Sequence, residues 1–270
     1  MYKRISVLLA VVCCSMYTSA QQAKTTGILG AFNAETNLLV AQLQQPKEQV
    51  IQGIHFSEGT LNGAHVVIAQ TGIGKVNAAI TTTLMVEHFI PASIIFTGIA
   101  GGVNPSLAPG DLVIGTTVAY HDYGSVNANG MLHEATRNPV TAQNNPLFFP
   151  CDSLLVQLAV HSSKQLQFQK AGIPNAAVPV ATTGTIVTGD VFVSSAAATE
   201  QLRTQLHADA TEMEGAAVAQ VCWQQHIPFL VIRSVSDKAN GTAAADIVQF
   251  YTTAAHNSAM LVREMMRELK

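Results

Sequence analysis

Charge is scarce in this chain: only 11% of its 270 residues are charged, and 14 basic against 17 acidic residues leave a formal net charge of -3. An anionic chain without a basic stripe lacks the electrostatic footprint of a nucleic-acid binder, so no nucleic-acid partner is expected. Four cysteines are too few for a disulfide scaffold, and two of them, Cys13 and Cys14, fall within the first twenty residues. Cys151 and Cys222 are left to pair or stay free, which spacing alone does not decide. The nine histidines include no HExxH pair, and no metal or other cofactor is expected. Repeats, heptad arrays and Gly/Ser linkers are missing too, so one undivided domain over residues 21–270 is the simplest organisation. Arginine is absent from the whole stretch between Arg4 and Arg137.

The N-terminus has its own character. Lys3 and Arg4 precede an apolar run from Ile5 to Cys14, and small residues follow at Thr18, Ser19 and Ala20. That is the pattern of a cleavable export signal over residues 1–20, predicting a secreted or periplasmic protein. The run is shorter than the roughly 20 residues of a membrane span, and no later segment is long and apolar enough, so no membrane association is expected after signal removal.

Hydrophobic residues make up 48% of the chain, enough for one sizeable core. Short apolar runs alternate with segments of helical period, the mark of an α/β domain. Gly27–Ala31 closes a first strand, and Leu38, Leu39 and Leu43 suit a helix face. Val66–Ala69 is a second strand, Lys75–His88 a helix, and Ser93–Phe96 a third strand running into a glycine-rich turn at Gly98–Gly102. Asp111–Gly115 and Pro228–Ile232 are further strands. Residues 122–150, with several Asn, Gly and Pro, are expected to form a long loop bordering a pocket or interface. Val248, Tyr251, Ala255, Ala259, Val262, Met266 and Leu269 recur at helical spacing and predict a final helix packed on the core.

Generic cofactor motifs fail on inspection. Gly72-Ile73-Gly74-Lys75 is followed by Val76, where a phosphate loop needs a magnesium-binding hydroxyl, and Asn77 stands where a dinucleotide fold needs its third glycine.

Four polar clusters sit at strand ends: Gly30–Glu35 and Thr97–Gly102 follow strands, Thr211–Gly215 lies between a short strand and a helix, and Arg233–Asp237 closes the strand Pro228–Ile232. Open α/β sheets bind ligands at that edge. Singly, Glu35, Glu214 and Asp237 also fit helix N-terminal carboxylates that stabilise a macrodipole. Together, and in this order with Gly72–Ala79 and Thr188–Phe192, the segments resemble the nucleoside phosphorylase and nucleosidase superfamily, nearest to the 5'-methylthioadenosine/S-adenosylhomocysteine nucleosidases.

The resemblance implies a three-layer α/β/α sandwich around a mixed, partly closed sheet, and hydrolysis of a purine nucleoside of the 6-amino type. It implies that Asp237 protonates the purine, Glu35 activates water, and Glu214 with Met213 holds the ribose. Phe192 would stack on the base, Val193 would read its edge through the backbone, and Arg233 and Ser236 would support the site from beside it. Gly98 and Ile99 would border the ribose, Ile99 standing where the nucleosidases usually carry a small hydroxyl residue. A homodimer or larger homo-oligomer is implied as well. Protonating the leaving base requires a carboxyl with a raised pKa, whereas the water-activating one must stay ionised, so the two need different surroundings. A phosphorylase remains an alternative, although the missing arginines leave no phosphate clamp near the first clusters. A non-catalytic nucleoside-binding or storage protein of the same fold is the other.

Overall fold

The computed structural model describes residues 24–128, 130–172 and 176–269, so the expected signal over residues 1–20 lies outside the described residues. Its first half runs β1 (Thr26–Gly30), α1 (Asn33–Val40), β2 (Gln44–Ile51), β3 (Ile54–Leu61), β4 (Ala64–Gln70), α2 (Lys75–Phe89), β5 (Ser93–Gly102) and β6 (Leu112–Tyr120). There follow β7 (Gly124–Asn127), β8 (Gly130–His133), β9 (Phe148–Pro150), α3 (Ser153–Ser163), β10 (Ala181–Thr188), α4 (Ala196–Leu206), β11 (Ala210–Glu212), α5 (Gly215–Gln224), β12 (Phe229–Asp237) and α6 (Ala243–Met265).

All strands but the β7–β8 hairpin join one mixed sheet, ordered β11-β10-β6-β12-β5-β1-β4-β3-β2, with β9 on β6. β1 is parallel to both β4 and β5, and β12 is parallel to β5 but antiparallel to β6. The sheet also bends back on itself: Gly101 and Gly102 at the end of β5 pair antiparallel with Thr211 and Ala210 of β11. The ring β5-β12-β6-β10-β11 is thereby closed, which removes two edges and brings the Thr211–Gly215 cluster beside the ends of β5 and β12.

Apolar runs explain the strands in the middle. β1, β12 and nearly all of β5 are buried along their whole length, as strands covered on both faces must be. Helices form two groups: α1 and α3 pack with α6, and α2 packs with α5. With the sheet they make the expected three-layer mixed α/β architecture.

Several local expectations are corrected. Gly98–Gly102 is no turn but the second half of β5, a strand continued under cover of β12 and β11. Arg233–Asp237 closes β12, as expected. The β2–β3 hairpin went unpredicted because Gln44–Ile51 is polar and almost wholly exposed, with none of the alternation that marks a half-buried strand. Residues 122–150 carry the hairpin β7–β8 and the strand β9, so they are not plain loop. In α6, Ala255, Ala259, Val262 and Met266 are buried as expected, but Val248 is 75% and Tyr251 40% exposed. The first turns of α6 bury Ala243, Phe250 and Ala254 instead, so the inward face is rotated there. Cys151 and Cys222 are free buried thiols, each pushed up by burial, Cys151 to about 12.

Candidate active site

Glu35 sits in the first turn of α1, yet its carboxylate does more than cap the helix. Oε2 accepts the backbone N–H groups of Ala31 and, at 3.3 Å, Phe32, while Oε1 crosses to β5 and accepts the Ile99 N–H at 2.9 Å. Only backbone without a side chain permits that approach: a Cβ on Gly98 would collide with the Glu35 carboxylate and lie 3.1 Å from Arg233 Nη1. Glu35 is almost fully buried, and that burial raises its pKa against the Arg233 charge and the three N–H donors, which favour the anion. The expected contrast between an ionised Glu35 and a protonated Asp237 is thus not one of opposite shifts. It is one of donors, three N–H groups on Glu35 against one N–H and one O–H on Asp237.

Arg233 points from β12 into the dry interior, 1% exposed, with its guanidinium 4.0 Å from the Phe96 ring centroid. Its Nη2 meets Glu212 Oε2 at 2.5 Å and Glu214 Oε2 at 4.0 Å, and its Nη1 donates to the Ile232 carbonyl at 3.1 Å. A buried cation held this way links two acids and sets the field on a third, Glu35.

Glu212 is the residue that sequence reading passed over. Its carboxylate accepts from Arg233, from Thr188 Oγ1 and from the backbone N–H groups of Glu214 and Gly215 at the start of α5. The Glu-Met-Glu spacing was visible, but only the closed sheet reveals that the first glutamate is spent on Arg233, Thr188 and the start of α5. Glu214 then accepts the Gly74 N–H on Oε1 at 2.8 Å. Burial pushes Glu214 up to about 8, aided by the neighbouring Glu212 charge and opposed by Arg233 and the Gly74 amide.

Asp237 ends β12 just past a register shift at Ser236, level with Gly101 of β5. Oδ1 accepts the Ala239 N–H at 2.7 Å and Oδ2 accepts the Ser236 hydroxyl at 2.8 Å; the Ala100 carbonyl lies 3.3 Å from the same Ser236 Oγ. Burial raises its pKa. Met213 is half-buried between Glu212 and Glu214, and Phe192 and Val193 follow the end of β10, with Phe192 48% exposed. The Ile99 side chain is buried in an apolar cluster with Ala254 and Ala255, against which Phe32, Ala34 and Ile247 pack.

The sheet therefore gathers Glu35, Glu214 and Asp237 at the C-terminal ends of neighbouring strands, all buried, with Gly98–Gly101 running between them. Carboxyl groups in this state can exchange protons near neutral pH.

Residues 25–267 match the family model of the Phosphorylase superfamily. A 5'-methylthioadenosine/S-adenosylhomocysteine nucleosidase of Halalkalibacterium halodurans is 39% identical over 244 residues, covering 90% of this chain and 98% of that protein. The crystal structure of the Neisseria meningitidis 5'-methylthioadenosine/S-adenosylhomocysteine nucleosidase with methylthio-immucillin-A is 36% identical, with a TM-score of 0.77 over 91% of this chain and 99% of the other. That of the Colwellia psychrerythraea nucleosidase in complex with adenine is also 36% identical, with a TM-score of 0.78 over 92% and 97%. The chain belongs to the phosphorylase superfamily, among its 5'-methylthioadenosine/S-adenosylhomocysteine nucleosidases.

Proposed function

We propose that this protein hydrolyses the N-glycosidic bond of 5'-methylthioadenosine and S-adenosylhomocysteine, releasing adenine. The observation that carries the reading is the buried trio Glu35, Glu214 and Asp237 at one strand edge, in a chain whose relatives bear that activity in their names.

An adenine anion leaves poorly, and the ribosyl carbon becomes cation-like as the bond breaks. Asp237 supplies a proton to the base. Ser236 suits both of its states: it donates to the carboxylate, and when Asp237 holds the proton its hydroxyl can accept it and turn its own hydrogen to the Ala100 carbonyl. Glu35 takes the proton of the attacking water, with its three amide donors and the Arg233 charge favouring the anion against burial. Glu214 holds the ribose hydroxyls with Met213 beside it, while Phe192 covers the base and the Val193 backbone reads its edge. Ile99 contributes its backbone to Glu35, and its apolar side chain offers no hydroxyl to ribose or water.

Water rather than phosphate is favoured by what Arg233 is doing. Its guanidinium is committed to Glu212 and to the Phe96 and Ile232 carbonyls, so it has no fork to offer a phosphate. The carboxylate of Glu35 in the same place would repel one.

The protein acts outside the cytoplasm in this reading, because the family match begins at residue 25 and leaves the signal-like segment beyond it. It associates with a second copy, for which the exposed Ile73, Val76 and Ile80 offer an apolar face on and before α2.

The test is adenine release by the purified mature chain from methylthioadenosine, adenosylhomocysteine, adenosine and inosine, with and without phosphate. Release from the first two without phosphate is expected, and Asp237→Asn should lower it by roughly 10²–10⁴-fold with the fold intact. A requirement for phosphate, or full activity in that variant, overturns the assignment.

A further inference from the structure

Beside the acids lies a polar cluster centred on Lys75. Lys75, the first residue of α2, places Nζ 2.6 Å from both carboxylate oxygens of Asp122 and 3.7 Å from Asp190 Oδ2, and 5.5 Å from the Tyr120 ring centroid. The backbone joins in: Lys75 N–H donates to Asp190 Oδ1 at 2.8 Å, and Asp190 N–H donates to Asp122 Oδ2 at 2.8 Å. Asp122 follows β6, Asp190 follows β10, and Lys75 opens α2, so three separate strand-end segments are tied at one ammonium.

Two neighbours of this knot belong to the proposed site. Gly74 immediately precedes Lys75, has φ +97° and donates its N–H to Glu214 Oε1. Phe192 and Val193 lie two and three residues beyond Asp190 on an otherwise open segment. An ordinary surface ion pair contributes little because it is hydrated and mobile. Here the Lys75 and Asp122 side chains are each only 23% exposed, and backbone N–H groups donate to the carboxylates of Asp122 and of the 47% exposed Asp190.

We propose that Lys75 is a positioning residue for purine nucleoside recognition, holding the Gly189–Val193 segment and the Gly74 amide at the spacing that Phe192 and Glu214 need. The inference rests on the nucleosidase reading above. A strut that served stability alone would not require that its loss be felt by the ligand.

The experiment compares the wild type with Lys75→Met, Lys75→Arg and Asp122→Asn, measuring KM and kcat for methylthioadenosine, adenine affinity by calorimetry, and Tm. In Lys75→Met, KM and the adenine Kd should each rise roughly tenfold while kcat changes by less than about threefold, the pattern of lost ground-state binding. Asp122→Asn should move KM and Kd the same way by at least about threefold, and Lys75→Arg, whose fork can still bridge two carboxylates, should return to within about threefold of wild type. If KM and adenine Kd stay within about twofold of wild type in Lys75→Met and Asp122→Asn, whatever happens to Tm, the positioning role is wrong. Should Lys75→Met fail to fold, Asp122→Asn decides alone. An inactive wild type would instead sink the nucleosidase reading and this inference with it, whereas an active wild type with unmoved variants sinks only the inference.

Discussion

Ile99 holds Glu35 by its backbone and not by its side chain: the Ile99 N–H reaches Glu35 Oε1 at 2.9 Å while the sec-butyl group is buried in an apolar cluster with Ala254 and Ala255. The same position can therefore lose its side chain without releasing the carboxylate.

Ile99→Ser tests that separation. Removing a side chain only 8% exposed and leaving a hydroxyl among apolar neighbours should cost about 2–5 kcal/mol of stability. Turnover measured well below Tm should stay within about threefold of wild type, since the N–H that fixes Glu35 survives. A large loss of kcat with an unchanged Tm would show that the side chain itself serves the reaction.

Gly98→Ala should do the opposite. Its Cβ would enter the space of the Glu35 carboxylate and crowd Arg233 Nη1, neither of which has anywhere to retreat in a packed interior. The expected outcome is a loss of kcat on the order of 10²-fold or more, as for removal of a general base. Activity close to wild type would mean that Glu35 is free to move and is not the water-activating group.

The Arg233–Glu212 pair is a stability device before it is a catalytic one. Both side chains are at most 2% exposed, so deleting either takes the nearest counter-charge from a buried ion, leaving Arg233 only Glu214 at 4.0 Å and Glu212 only its hydroxyl and amide donors. Arg233→Met and Glu212→Gln should each destabilise by about 3–5 kcal/mol in chemical denaturation, with the double variant less harmed than the sum. Strict additivity would show that the two charges do not interact.

Stability should fall with rising pH. Glu214 binds its proton more tightly in the folded chain, up to about 8, than an ordinary carboxylate does, and Glu35 and Asp237 are shifted in the same direction. Their contribution is complete below the unfolded carboxylate pKa, and that of Glu214 is lost as pH climbs through about 8. Scanning calorimetry from about pH 5 to 8.5 should therefore show a falling Tm, less steep in Glu214→Gln. A Tm that rises across this window would contradict the upward shift that burial gives the three acids.

What the sequence determined by itself was local and compositional. Apolar runs such as Ile94–Phe96 and Leu230–Ile232 announced central strands because strands covered on both faces need no alternation, and the period of Ala255, Ala259 and Val262 announced the last helix. The acids Glu35, Glu214 and Asp237 stood out by their place at strand ends. Tertiary structure decided what each one meets. The pairing of Gly101 and Gly102 with β11 turned an expected glycine turn into a strand, closed the sheet and brought Glu212 against Arg233, a contact between residues 21 apart that no local pattern encodes. Burial, with partners from other elements, raised the three pKa values, and the Lys75 knot joins strand ends up to 115 residues apart. Periodicity reports which face of one element is dry; which charges share that dry space is set by how distant elements pack, because Coulomb interactions depend on separation in space and not along the chain.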